Sequence, residues 1–387
     1  MEQHQEGKLS KWYDHSYKWM LMIPVLLLLV SVVYLYQFNS ANGDLIKKDV
    51  SLTGGTTISL FDAKVNANDL KAELAASFPD VETRGISDIQ TGKQIGLIIT
   101  TGSGIDEVKP VLEKFLGYSL TSENSSVEFT KSTISAGFYS QLKNSIIAAF
   151  LLMACVVFLR FAHSKKMKAA TLMLSALGVG IALADVPELK NVMIFVVFIG
   201  LIYGLWKGEK DKNRNYWLFG SAIVSWILLF AYPAQWLLIP LLVALSYLYI
   251  TVSMPSFMVI LCAFADIVMT IAIVNFYGMT ISLAGIVAFL MLIGYSVDTD
   301  ILMTSRLLHE KEGTKNQRLW GAFKTGIMMT LTAIVAVGIS LIIVGDISAT
   351  LHQIFTIILI GLFLDIINTW ITNASLLKWY MEAKNED

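Results

Sequence analysis

The sequence predicts an α-helical polytopic membrane protein of about ten spans that carries one external α+β domain. Three observations lead there. Of 387 residues, 55% are hydrophobic and only 15% charged, far from the balance of a soluble domain. Apolar runs of about 20 residues, the length that crosses a hydrocarbon core at 1.5 Å per residue, recur along the chain. One stretch alone, 40–140, has Asp, Glu, Lys, Asn and Gly at ordinary soluble frequencies and no run long enough to span. The net charge of −1 gives nucleic acid nothing to recognise. Cys155 and Cys262 lie in apolar runs without nearby ligand partners and read as packing residues. No His or Cys cluster has ligand spacing and no Gly-x-x-x-x-Gly-Lys-Ser/Thr loop occurs, so neither a cofactor nor enzymatic chemistry is expected.

Residues 1–17 form a cytoplasmic N-terminus and 18–38 the first span. Lys8, Lys11 and Lys18 hold the N-terminus inside. Gln37-Phe38-Asn39-Ser40 offers no cleavage site, so this is a retained anchor. Within 40–140 the pattern reads as strand 49–61, helix 67–77 opening at Asn66 or Asn68, and strand 81–89. A turn at Thr91-Gly92, strand 94–101, helix 105–116 and strand 125–132 follow. The βαββαβ order predicts a ferredoxin-like split βαβ sandwich with both helices on one face of a four-stranded sheet.

A second span, 142–161, returns the chain to the cytoplasm, where Arg160, His163, Lys165, Lys166 and Lys168 cluster. Four apolar runs follow, at 168–184, 191–206, 216–232 and 235–252, within an inserted segment 164–254. A last block, 255–377, holds runs at 255–276, 281–304, 325–345 and 352–377, before a cytoplasmic tail 378–387. The loops this topology puts inside (160–168, 207–215, 305–324 and the tail) hold nearly all the Lys and Arg outside the folded domain. Those it puts outside (185–190, 232–235, 277–280, 346–351) hold only Lys190. Both termini are therefore expected in the cytoplasm of a multi-pass cell-membrane protein.

Asp266, Asp298, Asp300 and Asp365 fall inside these spans. A charge in hydrocarbon is costly, so intramembrane acids usually face a bundle interior or water path, and carboxylates suit a proton relay because they gain and lose protons. Residues two apart stand about 200° apart on an α-helix, so Asp298 and Asp300 cannot share one narrow path. Asp300 shares its stripe with Ser296 and Thr304, a polar face that favours it as the path-lining acid. Asp298 shares its stripe with Gly294 and Ser305, where a small residue admits a neighbouring helix. Thr299 lies between the two faces. The same acids could instead pair with hydroxyls or Arg306 to lock helices, and Arg306 reads either as a relay partner or as a positive-inside anchor. Gly54 and Gly55 read as strand or bulge residues rather than as a ligand loop. Asn124-Ser125-Ser126 is a glycosylation sequon in the external domain.

The anchor helix, a βαββαβ domain opening at Leu52-Thr53-Gly54-Gly55-Thr56, and a helix block carrying Gly294-Tyr295-Ser296 together resemble the SecF family of protein-export membrane proteins. The likeness is to its archaeal form, since bacterial members read Gly-Tyr-Ser-x-Asn-Asp-Thr where this chain has Asp298-Thr299-Asp300. Pro255-Ser256, Ala265-Asp266, Lys324-Thr325-Gly326 and Asp365-Ile366-Ile367-Asn368-Thr369-Trp370 match as well, so the resemblance covers roughly 10–161 and 255–380. It departs in the insert 164–254, because the family has six spans. The resemblance implies the resistance-nodulation-division superfamily, a SecD partner, association with the SecY translocon, and proton-motive-force-assisted export of unfolded polypeptides. It also leaves two alternatives open: a small-molecule or lipid exporter of that superfamily, whose members commonly carry two external domains, and a translocon-binding scaffold that moves no ions.

Overall fold

A computed structural model of the chain describes residues 16–87, 93–183, 238–310, 313–344 and 348–384. Among these, six helices are long and apolar enough to cross a membrane: Ser16–Asn42, Ile134–Phe161, Met254–Phe276, Leu283–His309, Lys315–Ile343 and Thr350–Ala383. In chain order the elements are α1 (Met22–Asn42), a helical turn Val50–Thr53, β1 (Gly55–Leu60), α2 (Ala67–Ala75), β2 (Glu82–Ser87) and β3 (Gln94–Thr101). Then come α3 (Ile105–Leu116), β4 (Ser125–Thr130), α4 (Ser132–Phe161), α5 (Lys165–Ala182), α6 (Leu238–Val252) and α7 (Met254–Phe276). The chain ends in α8 (Leu283–His309), α9 (Lys315–Val344), α10 (Ala349–Ile367), a π-helical segment Asn368–Asn373, and α11 (Ala374–Ala383). The expected runs 191–206 and 216–232, and the turn Thr91-Gly92, lie outside the described residues.

Several boundaries differ from the sequence reading. The strand expected from residue 49 begins at Gly55, because Asp49 caps a helical turn by accepting from the Val50 N–H. Gly54, at φ 88°, ends that turn, and a Cβ there would run into the Ser132 backbone. Gly55 enters the sheet so close to the Thr101 carbonyl that a Cβ would clash with it. The Thr56 hydroxyl donates to the Ser103 carbonyl at 2.7 Å. Gly54-Gly55-Thr56 is thus a close-packed joint between sheet and α4. Helices α4, α8 and α9 also outrun their apolar spans, since backbone hydrogen bonding continues where hydrophobicity stops.

The four strands form one antiparallel sheet in the order β2-β3-β1-β4. Side chains alternate across a strand, so Ile58, Leu60, Leu97 and Ile99 share a face and bury against Leu70 and Leu74 of α2 and Val108 and Leu112 of α3. Asn66 caps α2 by accepting from the Asn68 N–H at 2.9 Å.

In the helical block α7, α8 and α10 pack on one another, with Val274, Ile286, Phe289, Ile358 and Leu362 in one core. Gly361 lets α10 close onto Leu292 of α8, whose side chain fills the space a Cβ would need. Helices α1 and α9 are peripheral, with 11% of their most apolar windows buried. Helix α5 is the reverse: Met173 to Ala182 is buried on every side, against α4 and α6.

Candidate functional site

Asp266 of α7, Asp300 of α8 and Asp365 of α10 converge inside the helical block, at 1%, 0% and 0% exposure. Three helices thus bring together residues 34 and 65 positions apart in sequence. Asp266 accepts from the Ser296 hydroxyl at 2.5 Å on one oxygen and from the Asn368 amide at 2.6 Å on the other. Asp300 accepts from the Asn373 amide at 2.8 Å, and that amide also reaches the Thr304 hydroxyl at 3.5 Å. Asp365 accepts from the Thr369 hydroxyl at 3.1 Å. Thr372 in turn donates to Asn368 at 3.3 Å, and Thr270 turns back onto the Asp266 carbonyl at 2.6 Å.

The donors come largely from one place. Asn368, Thr369, Thr372 and Asn373 belong to the π-helical segment that follows α10, and such wide turns recur at functional sites because they re-aim side chains within a helix. Sequence reasoning missed Asn373 and the bridging role of Asn368. The signal was there, since Asp365, Asn368, Thr369, Thr372 and Asn373 form a polar stripe at helical spacing in an otherwise apolar run.

Every partner of the three acids among the described residues is neutral. A carboxyl held by hydroxyls and amides changes its charge without breaking an ion pair. Oδ2 of Asp300, Oδ2 of Asp365 and Oδ1 of Asn373 are buried without a hydrogen-bond partner among the described residues. Buried acceptors left open are costly, and these three offer positions for a proton or for water entering the bundle.

The other expected site residues stand apart. Asp298 is on the exposed outward face of α8 with Gly294 and Tyr295, opposite Asp300 as the 200° separation requires. No helix of the described chain uses Gly294 for close approach, since a Cβ there would meet nothing within 4 Å; this corrects the expectation that it admits a neighbour. Thr299 is buried, its hydroxyl spent on the Tyr295 carbonyl at 3.2 Å. Arg306 does not reach the acids: it donates to the Gly321 carbonyl at 3.0 Å and pairs with Glu310 at 3.8 Å, at the foot of α8. Asn124 of the sequon is tied into its own loop, accepting from Thr121 N–H at 2.8 Å and donating to the Ser119 carbonyl at 3.0 Å. Among the described residues no group of three or more His, Cys, Asp or Glu is arranged to hold a metal ion.

Fold and site define a polytopic membrane protein built around a buried carboxylate cluster with no cationic partner among the described residues, and carrying a small antiparallel sheet domain. Residues 222–383 match the family described as protein export membrane protein SecD/SecF, C-terminal. The chain is 42% identical over 168 residues to the protein-export membrane protein SecF of Methanolacinia petrolearia, covering 42% of this chain and 57% of that protein. It is 42% identical over 134 residues to SecF of Methanothermobacter thermautotrophicus, covering 34% of this chain and 47% of that one. The chain thus spans about half the length of these relatives. The crystal structure of SecDF, a translocon-associated membrane protein from Thermus thermophilus, shares the fold: TM-score 0.51 at 12% identity, over 99% of this chain and 40% of that chain.

Proposed function

We propose that this chain is an accessory subunit of protein export, working with a SecD-type partner beside the SecY translocon to assist translocation of unfolded polypeptides. In this reading the ion gradient across the cell membrane drives the cycle, protons are the coupling ion, and the protein is not an enzyme. The chain crosses the membrane about ten times with both termini in the cytoplasm. The sheet domain, ferredoxin-like in its strand order, stands outside.

The observation that carries the reading is the cluster of Asp266, Asp300 and Asp365, buried in helices of membrane-spanning length with neutral partners and open acceptors. Such groups in lipid mark ion or substrate pathways. The test is export of a secreted reporter in cells whose own copy is replaced by variants. Asp300→Asn, Asp266→Asn and Asp365→Asn are expected to assemble with the partner and lower gradient-dependent export about tenfold or more, the scale of losing one interaction worth about 1.4 kcal/mol. Asp298→Asn is expected to retain export. Normal export in all three buried variants would leave a scaffold that moves no ions.

A further inference from the structure

The turn between α7 and α8, residues 275–283, holds together more of the molecule than a connection needs to. Asn275, 4% exposed at the end of α7, donates its amide to the Leu45 carbonyl at 2.6 Å, and its side-chain oxygen faces the Lys47 N–H at 3.4 Å. Ile281 exchanges backbone bonds with the same strand of chain, donating to the Lys47 carbonyl at 2.7 Å and accepting from the Asp49 N–H at 3.0 Å. The Leu283 N–H reaches the Ser51 hydroxyl at 3.3 Å. Residues 45–51 lead straight into the sheet domain, and Leu52, 2% exposed, drives into the core formed by Val274, Ile281 and Ile286. From the other side Gln353 of α10 accepts from the Ser282 N–H at 3.1 Å and bonds the Ser282 hydroxyl and the Thr280 carbonyl.

One turn therefore joins the outer ends of the three helices that carry Asp266, Asp300 and Asp365, and the root of the external domain hangs from it. Asp266 is nine residues from Asn275, about 14 Å along α7, and Asp365 is twelve from Gln353, about 18 Å along α10. Close-packed interiors transmit displacement rather than absorb it. We infer that the 275–283 turn is the joint through which a change at the carboxylate cluster moves the sheet domain, with Asn275 and Gln353 as its positioning residues. The inference rests on the reading of the acids as the part that changes during export. It goes further in naming the route by which that change leaves the bundle.

The experiment uses the full chain in lipid nanodiscs, spin-labelled at Glu107→Cys on α3 and Ile342→Cys on α9. Both positions are exposed, while Cys155 and Cys262 are buried. Asp300→Asn, which fixes that one position of the cluster in an uncharged form, is expected to displace the mean label distance in the otherwise intact chain. It is expected to leave that distance unchanged when Asn275→Ala or Gln353→Ala has cut the joint. If the displacement persists in both cut variants, the joint is wrong and the functional reading of the acids stands. If the intact chain shows no displacement, acids and domain are uncoupled and both ideas fall. Thermal unfolding of each variant controls for misfolding. Asn275→Asp, which keeps size and acceptor but loses the donated bond to Leu45, replaces Asn275→Ala if the latter does not assemble.

Discussion

Asp49 caps the turn that roots the sheet domain, and its half-buried carboxyl sits above the usual range because burial outweighs the bond from Val50 N–H, with Glu82 and Glu128 adding to the rise. A carboxyl raised by folding keeps a proton that the unfolded chain has already released. The native state then binds more protons than the unfolded one, so stability falls as pH climbs from the unfolded value of 3.8 through the folded one. Asp49→Asn keeps an acceptor for Val50 and removes the charge. Its thermal unfolding, followed between about pH 4 and pH 7, is expected to lose part of the decline expected of the parent chain; an unaltered slope would show that Asp49 does not titrate with folding. Other residues divide by how local their logic is. Asp298 and Asp300 were separable from sequence because helix periodicity alone puts them on opposite faces. Asn373 was not, because its partner Asp300 lies 73 positions away and only helix packing reveals the pairing.

Helices and strands were legible where a single period ran uninterrupted. α3 repeats Val108 and Leu112 on one face, and β3 alternates Leu97 and Ile99, so both fell within a residue of their expected limits. The region 49–54 was misread because its apolar residues fit a strand, while the Asp49 cap and the socket for Leu52 select a helical turn. α3 also offers a measure of how the sheet domain holds together. Leu112, fully buried beneath the sheet, is expected to cost that domain about 2–5 kcal/mol on truncation to alanine. Phe115→Ala, 41% exposed on the same helix, is expected to cost far less. Hydrogen exchange of the strand amides reads the difference; equal effects would mean that the contacts of Leu112 do not stabilise the sheet.

On the scale of the whole molecule, hydropathy marked the runs that become the six helices of spanning length among the described residues, against about ten expected, and the acid cluster was not legible. Three acids spread over a hundred residues become one site only when α7, α8 and α10 pack, and no run of sequence displays that packing. The charge asymmetry of the loops yields a prediction that belongs to the molecule as a whole. A cysteine at exposed Glu107 is expected to react with a membrane-impermeant maleimide on intact cells, and one at exposed Glu310 only after the cells are opened. Labelling of both from outside would reverse or break the proposed topology.

The π-helical segment sets the phase of everything after it. In an unbroken α-helix Asn373 would stand about 80° around the axis from Asp365, and a turn closed by i→i+5 bonds takes up part of that angle. One helix can then address Asp266 through Asn368 and Asp300 through Asn373 while keeping Asp365 inside. The segment works as an extra tooth on a gear: one residue removed there would mesh α11 a step out of register and carry Asn373 away from its acid. Lys378, now against Asn316 at 3.2 Å, would turn with it. Length in this short stretch is therefore as tightly constrained as residue identity.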